Sequence, residues 1–206
     1  MFLHKTNAFL KLFFPEKSIW KIPKSQPTLY LTFDDGPLPD TTEWVLKVLE
    51  KYQIKATFFC VGDNIQKYQT VYQNLENQGH QTANHTQNHL RGWKTQTDLY
   101  VENTIACQKM MQKEVNLFRP PYGLITRPQA QILQQKGYKI VMWDVLSGDF
   151  EKSVSPETCL KKTIQYTENG SVIVFHDSTK AEKNLKFTLP RYLDFCKEKG
   201  YIFETL

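Results

Sequence analysis

Short apolar runs alternate with stretches of helical periodicity along most of this chain. Residues 28–33 (TLYLTF) read as a strand, stopped by Asp-Asp-Gly-Pro at 34–37. Trp44, Val45, Val48, Leu49 and Tyr52 then recur at helical spacing, behind Asp40 and Glu43, which stand three apart as in a capping box. Residues 56–61 (ATFFCV) predict a second strand, closed by Gly62, and 64–78 a polar helix stopping at Gly79. A short strand follows at 80–84, and a helix over 95–113 after a loop holding Arg91, Gly92 and Trp93. Leu117-Phe118-Arg119 is a strand cut short by Pro120-Pro121, because proline lacks the donor a central strand needs. Beyond it the pattern predicts a helix over 127–136 and a strand over 139–145. A helix opens with Pro156 as first residue after Ser155, and a strand covers 171–175. A last helix is predicted to start near Pro190, with Leu189, Tyr192, Leu193 and Cys196 on one stripe, and a final strand covers 201–203.

Strict alternation of strand and helix implies parallel strands joined by helical crossovers. The predicted fold is α/β, a distorted (β/α) barrel with about seven parallel strands; the alternative is an open doubly wound sheet. At 206 residues the chain is shorter than the ~250 of a full eightfold barrel and suits one domain. Residues 1–26 read as an N-terminal extension packing on the barrel, and 27–206 as the main domain.

Composition narrows the function classes. A net charge of +5 with no dense basic stripe argues against nucleic acid. Cys60, Cys107, Cys159 and Cys196 are widely spaced, so buried thiols are expected rather than a disulfide scaffold. No apolar run reaches the ~20 residues of a membrane span, and Lys11 breaks the only N-terminal candidate for a leader. The expectation is a cytoplasmic monomer, or one at the cytoplasmic face of the membrane. Residues 1–24 mix Phe, Leu, Ile and Trp with five lysines, so weak contact with an anionic membrane surface competes with simple packing on the barrel.

Ionisable residues gather at the predicted C-terminal strand ends, where sites of such folds lie. Asp34 and Asp35 follow the first strand, His85 and His89 the third, Arg119 the fourth, Asp149 the fifth, and His176 and Asp177 the sixth. Three of the five histidines are in this set. His85 and His89 stand at i and i+4, which on a helical turn presents two imidazoles to one ion. Asp35 supplies a third, carboxylate ligand, leaving a coordination position for water. Asp34 is then the natural base. Arg119 can grip a carboxylate with two N–H groups, and Asp149 can hydrogen-bond His176 and raise its pKa to suit an acid.

The ordered set Thr-Phe-Asp-Asp-Gly (32–36), His-Thr-x-x-His (85–89), Arg-Pro-Pro-Tyr-Gly (119–123), Trp-Asp-Val-Leu-Ser-Gly-Asp-Phe (143–150) and Val-Phe-His-Asp (174–177) resembles the polysaccharide deacetylase, or NodB-homology, family. The resemblance covers about residues 27–205. It implies a divalent metal, usually zinc, with Co, Ni or Fe also suiting the donors, held by Asp35, His85 and His89. It implies Asp34 as base, Arg119 as its brace, His176 as acid and Asp149 as its tether. Pro121, Tyr122, Phe150 and Val174 would meet the substrate, the Tyr122 N–H holding the oxyanion. The expected reaction releases acetate from an N-acetylated amino-sugar oligomer or polymer, peptidoglycan- or chitin-like. The alternative is an O-deacetylase or a non-sugar amidase using the same metal site. Two positions depart from the family's habit: Phe150 where Trp is frequent, and Val174 where Leu is. Both changes stay apolar.

Overall fold

The computed structural model describes residues 3–12 and 14–206; Met1, Phe2 and Phe13 of the expected extension lie outside the described residues. After a four-residue turn of helix, α1 (Ala8–Lys11), the main elements alternate as the periodicity requires. They are β1 (Thr28–Asp34), α2 (Thr41–Tyr52), β2 (Thr57–Cys60), α3 (Gly62–Lys67), α4 (Gln69–Asn77), β3 (Gln81–Asn84) and α5 (Thr97–Met111). Then come β4 (Leu117–Phe118), α6 (Arg127–Gln135), β5 (Lys139–Ile140), β6 (Val145–Leu146), α7 (Pro156–Tyr166), β7 (Val172–His176), α8 (Glu182–Glu198) and β8 (Ile202–Phe203).

Seven strands lie in the order β5-β4-β3-β2-β1-β7-β6, all paired in parallel, and curl into an α/β half-barrel; β8 adds to the start of β1. Every residue of central β1 is buried, as expected of a parallel strand covered on both faces. Side chains alternate across it. Leu29, Leu31 and Phe33 face outward, toward the buried residues of α2 and α8, and Phe33 stacks on Phe58 at 4.9 Å. Tyr30 points the other way and packs inside the curl with Phe59, Ala83, Leu117, Val141 and Val172. The four cysteines are buried and unpaired.

The structure departs from the periodicity in four places. The single strand expected over 139–145 is two, β5 and β6, at opposite edges of the sheet. Five peptide steps separate Ile140 from Val145, so the two edges lie within about 18 Å of each other. The two edges are thus tethered to each other across an open gap. The helix expected over 64–78 breaks at Tyr68 (φ −125°), which lets Ile65 and then Val71, Tyr72 and Leu75 all bury. The last helix begins at Glu182, eight residues before Pro190, which sits inside it. Burial of Leu185, Leu189, Tyr192, Leu193 and Cys196 along one face outweighs the one backbone bond the proline forgoes. Asp40 precedes α2 but makes no side-chain cap; the Thr42 hydroxyl instead accepts from Leu38 N–H at 2.8 Å.

The N-terminal segment runs into the gap between β5 and β6. Ile19 donates to Ile140 O (2.8 Å) and accepts from Met142 N (2.7 Å), while Thr6 N bonds Asp144 O (3.0 Å) and His4 O accepts from Leu146 N (2.9 Å). Lys5 fastens the segment by ion pairs to buried Asp144, at 2.7 Å, and to Glu168; Lys21 also reaches Glu168 at 3.0 Å. The backbones approach closely at Gly170, which has φ +83° and whose carbonyl accepts from the Ile22 N–H at 2.8 Å. A Cβ there would stand 2.5 Å from Pro23 N. Gly170→Ala is therefore expected to cost at least about 2 kcal/mol, from left-handed strain and displacement of the segment, and to lower Tm by about 4–8 °C. An unchanged thermal melt would contradict this close approach.

Candidate active site

The side-chain alternation that builds the barrel interior also aims the polar groups. Counting by two from interior residues, Tyr30 leads to Thr32 and Asp34, Ala83 to His85, Leu117 to Arg119, and Val172 to Val174 and His176. All arrive at the C-terminal mouth. Asp34, Asp35, His85, His89, Tyr122, Phe150, Val174 and His176 line one cavity of about 590 Å³ there. Arg119 and Asp149 are buried behind it. Pro121, also expected at the substrate, is buried and is not among the residues that line this cavity.

Asp35, His85 and His89 place one donor atom each within 4.8 Å of one another. The histidines do not lie on a helix, contrary to the simple reading of their spacing. Thr86 (φ 67°) and His89 (φ 55°) take left-handed backbone, and the loop is pinned by Asn84 Oδ1 to Thr86 N (2.9 Å) and by Asn103 Oδ1 to Gln87 N (3.0 Å) and Asn88 N (3.1 Å). The rings still converge, with centroids 5.1 Å apart. His85 Nδ1 donates to Arg119 O at 2.8 Å, which leaves the Nε2 lone pair facing Asp35 Oδ1, 3.8 Å away. Burial, opposed by the Asp34 charge, lowers His85 to about 4, so it is the neutral, ligating form at pH 7. Burial would raise Asp35, but the His89 hydrogen bond and the charges of His176 and His85 outweigh it and hold the carboxyl well below its usual range. One carboxylate and two imidazoles so disposed fit a divalent metal with an open position.

Asp34 flanks this set, and Arg119, wholly buried, donates to its Oδ1 from Nη1 at 2.6 Å. The grip is single rather than forked. Nη1 also donates to Thr32 Oγ1 (2.8 Å), and Nε and Nη2 are spent on the carbonyls of Val141 (3.3 Å) and Met142 (3.1 Å). On the far side Asp149 holds His176 twice, Oδ2 accepting from the backbone N–H (2.7 Å) and Oδ1 pairing with Nδ1 (2.8 Å). Burial works against a charged ring, but Asp149, by charge and hydrogen bond, with Asp35 and Asp34 behind it, raises His176 to about 9. Tyr122 has φ 59°, and among the described residues nothing accepts its N–H. Among the described residues, four of the eight non-glycine positions with positive φ (Asp35, Thr86, His89, Tyr122) thus lie in this one site, where backbone strain tends to mark function.

Several contributors carry no motif signal. Leu3, Thr6, Phe14 and Trp20 from the N-terminal segment, and Met142 from the β5–β6 crossing, also line the cavity, beside Trp143 of the 143–150 motif. Asp177 was legible only as the neighbour of His176. Its Oδ1 accepts from Gly36 N (3.0 Å) and its Oδ2 from the Thr42 hydroxyl (2.6 Å), so it clamps the turn that carries Asp34 and Asp35. Burial pushes its carboxyl up to about 7. A Cβ on Gly36 would stand 2.0 Å from Oδ2, so only glycine admits this clamp.

Comparison with known proteins places these features in context. The polysaccharide deacetylase family model matches residues 21–141. A peptidoglycan-N-acetylglucosamine deacetylase of Bacillus cereus is 29% identical over 192 residues, covering 91% of this chain and 90% of its own. A second from that species is 31% identical over 189 residues, covering 89% of this chain and 68% of its own. Among solved structures, a peptidoglycan N-acetylglucosamine deacetylase in complex with 4-naphthalen-1-yl-N-oxidanyl-benzamide superposes with TM-score 0.87 at 29% identity, over 92% of this chain and 91% of that one. A pseudoenzyme from Bacillus anthracis superposes with TM-score 0.83 at 19% identity, over 92% of this chain and 67% of that one, which is a likeness of fold alone. Since the family match takes in more than half of the residues, this chain belongs to the polysaccharide deacetylase family.

Proposed function

We propose that this chain is a metal-dependent hydrolase that removes N-acetyl groups from an N-acetylated amino-sugar oligomer or polymer, peptidoglycan- or chitin-like, and releases acetate. The observation that carries the reading is the meeting of a three-donor set with a braced carboxylate on one side and a carboxylate-tethered histidine on the other, in a single cavity. The names of the Bacillus cereus relatives support N-acetylglucosamine as the substrate sugar.

Asp35, His85 and His89 would hold the metal, for which zinc suits the donors and Co, Ni and Fe compete. Bound there, the ion supplies Lewis acidity, acidifying water and polarising an acyl carbonyl. Asp34 takes the proton of the attacking water, its free oxygen facing the cavity while Arg119 holds the other. The Tyr122 N–H, having no partner of its own, donates to the oxyanion as the carbonyl becomes tetrahedral. His176 gives its proton to the amine, which leaves poorly without one. Phe150, whose ring centroid is 4.8 Å from that of His176, and Val174, two residues before it on the same face, shape the acetyl site.

Asp34→Asn should keep its metal and lose about 10²–10⁴-fold in kcat, the usual worth of a general base. Near-normal turnover would remove Asp34 from that role. His85→Ala should lose metal by elemental analysis, and full occupancy in that variant would refute the ligand set.

The acid carries a sign that can be checked. A histidine raised to about 9 stays protonated through neutral pH and loses its proton as pH climbs toward that value. A bound dication across the cavity pulls it downward, so the alkaline limb of kcat/KM should fall at or below pH 9. Asp149→Asn removes the charge that raises the ring and should move the limb toward neutrality by about one unit or more. An unmoved limb would show that some other group sets it.

A further inference from the structure

The two sides of the cavity differ in polarity. Around His89 the rim is polar and aromatic: Arg91 stacks over the half-exposed Tyr122 ring at 4.4 Å, and Tyr122 hydroxyl meets His89 Nδ1 at 3.2 Å. A second stretch of the lining, next to Gly123, is largely apolar. Leu3, Phe14 and Trp20 of the N-terminal segment join Met142, Trp143 and Leu146 there. Phe14 packs edge-on against Trp20 with centroids 5.0 Å apart. Leu146 lies beside Val174 in the β6–β7 register, so this wall continues from the acetyl site without a break. The hydroxyl that the segment offers at the cavity, Thr6 Oγ1, already donates to Trp143 O at 2.8 Å.

A methyl group needs little of this surface. Hydroxyls turned onto its aliphatic part, Leu3, Met142 and Leu146, would find no partner there, which disfavours burying polar groups against it. An alkyl chain has no such cost and gains with every buried methylene.

We infer that this wall is an acyl-chain subsite, and that the enzyme takes N-acyl amino sugars with chains longer than acetyl, the N-terminal segment setting how long. The inference rests on the amide hydrolase reading above. The reaction balances in the same way: the amide C–N bond breaks, water supplies the new oxygen to the acyl carbon, the nitrogen takes a proton, and the products are the alkanoate and the free amino sugar. The sugar then lies toward Tyr122 and Arg91, and the chain toward Phe14 and Trp20.

The test uses the metal-loaded full chain and chitotriose carrying N-acetyl, N-butyryl or N-hexanoyl groups. Amine release should be at least as efficient, by kcat/KM, for N-butyryl as for N-acetyl. Leu3→Asp puts a charge into the wall at a position 47% exposed, where folding tolerates it. It should lower the butyryl-to-acetyl ratio at least about tenfold, in line with the value of a methylene or two in an apolar pocket. Trp20→Ala should act in the same direction. Binding to the Asp34→Asn variant by calorimetry gives a readout independent of turnover, and affinity should rise about fourfold per added methylene. Release of acetate alone, with affinity that rises with sugar units and not with acyl carbons, would overturn the subsite. Release from none of the three would count against the hydrolase reading, while calorimetry would still decide the acyl preference.

Discussion

One buried cation holds the mouth of this barrel in shape. Arg119 has no exposed surface, and an unpaired guanidinium in that position would be prohibitive. Its partners come from both sides of β4: Asp34 and Thr32 from β1, the Phe59 ring of β2 at 4.0 Å, and the carbonyls of Val141 and Met142 just past β5. Two strands separate β1 from β4 in the sheet order, so these bonds form only if the sheet curls. The ion pair therefore acts as a chord across the curl. Its geometry fixes the Asp34 carboxylate, and the Arg119 carbonyl fixes the tautomer of His85.

The same residue type is driven to opposite ends of its range within one cavity. His85 is buried with a carbonyl at Nδ1 and is held neutral at about 4, while His176 has a carboxylate at Nδ1 and is raised to about 9. The second-atom partner, carbonyl or carboxylate, decides whether an imidazole donates a lone pair or a proton. That separation keeps a neutral and a protonated imidazole side by side in one cavity, which is what the proposed mechanism asks of them.

Much of this was legible in the chain itself. Period-two alternation fixes which residues enter the barrel, and stepping on by two reaches Asp34, His85, Arg119 and His176, so the cluster at the strand ends follows from local pattern. What escaped depends on contacts far apart in sequence. Nothing local shows that residues 139–145 split between two sheet edges, because both halves are equally apolar. The spacing of His85 and His89 suggests a helix, whereas Asn84 and Asn103 hold a left-handed loop that no periodicity encodes. Pro190 reads as a helix start because local rules count the lost bond and not the buried stripe on either side of it. Arg119 was expected to fork onto its carboxylate, and carbonyls at 141 and 142 drew its other nitrogens away.

The clamp made by Asp177 has a mechanical meaning. His176 and Asp177 are consecutive at the end of β7, one turned into the cavity and the other to the turn at Gly36. Any tilt or slide of β7 therefore carries the His176 ring and the carboxylate-bearing turn in the same direction. Two polar groups of the cavity thus hang from one strand end, so a substitution that shifts β7 alters the placement of both at once.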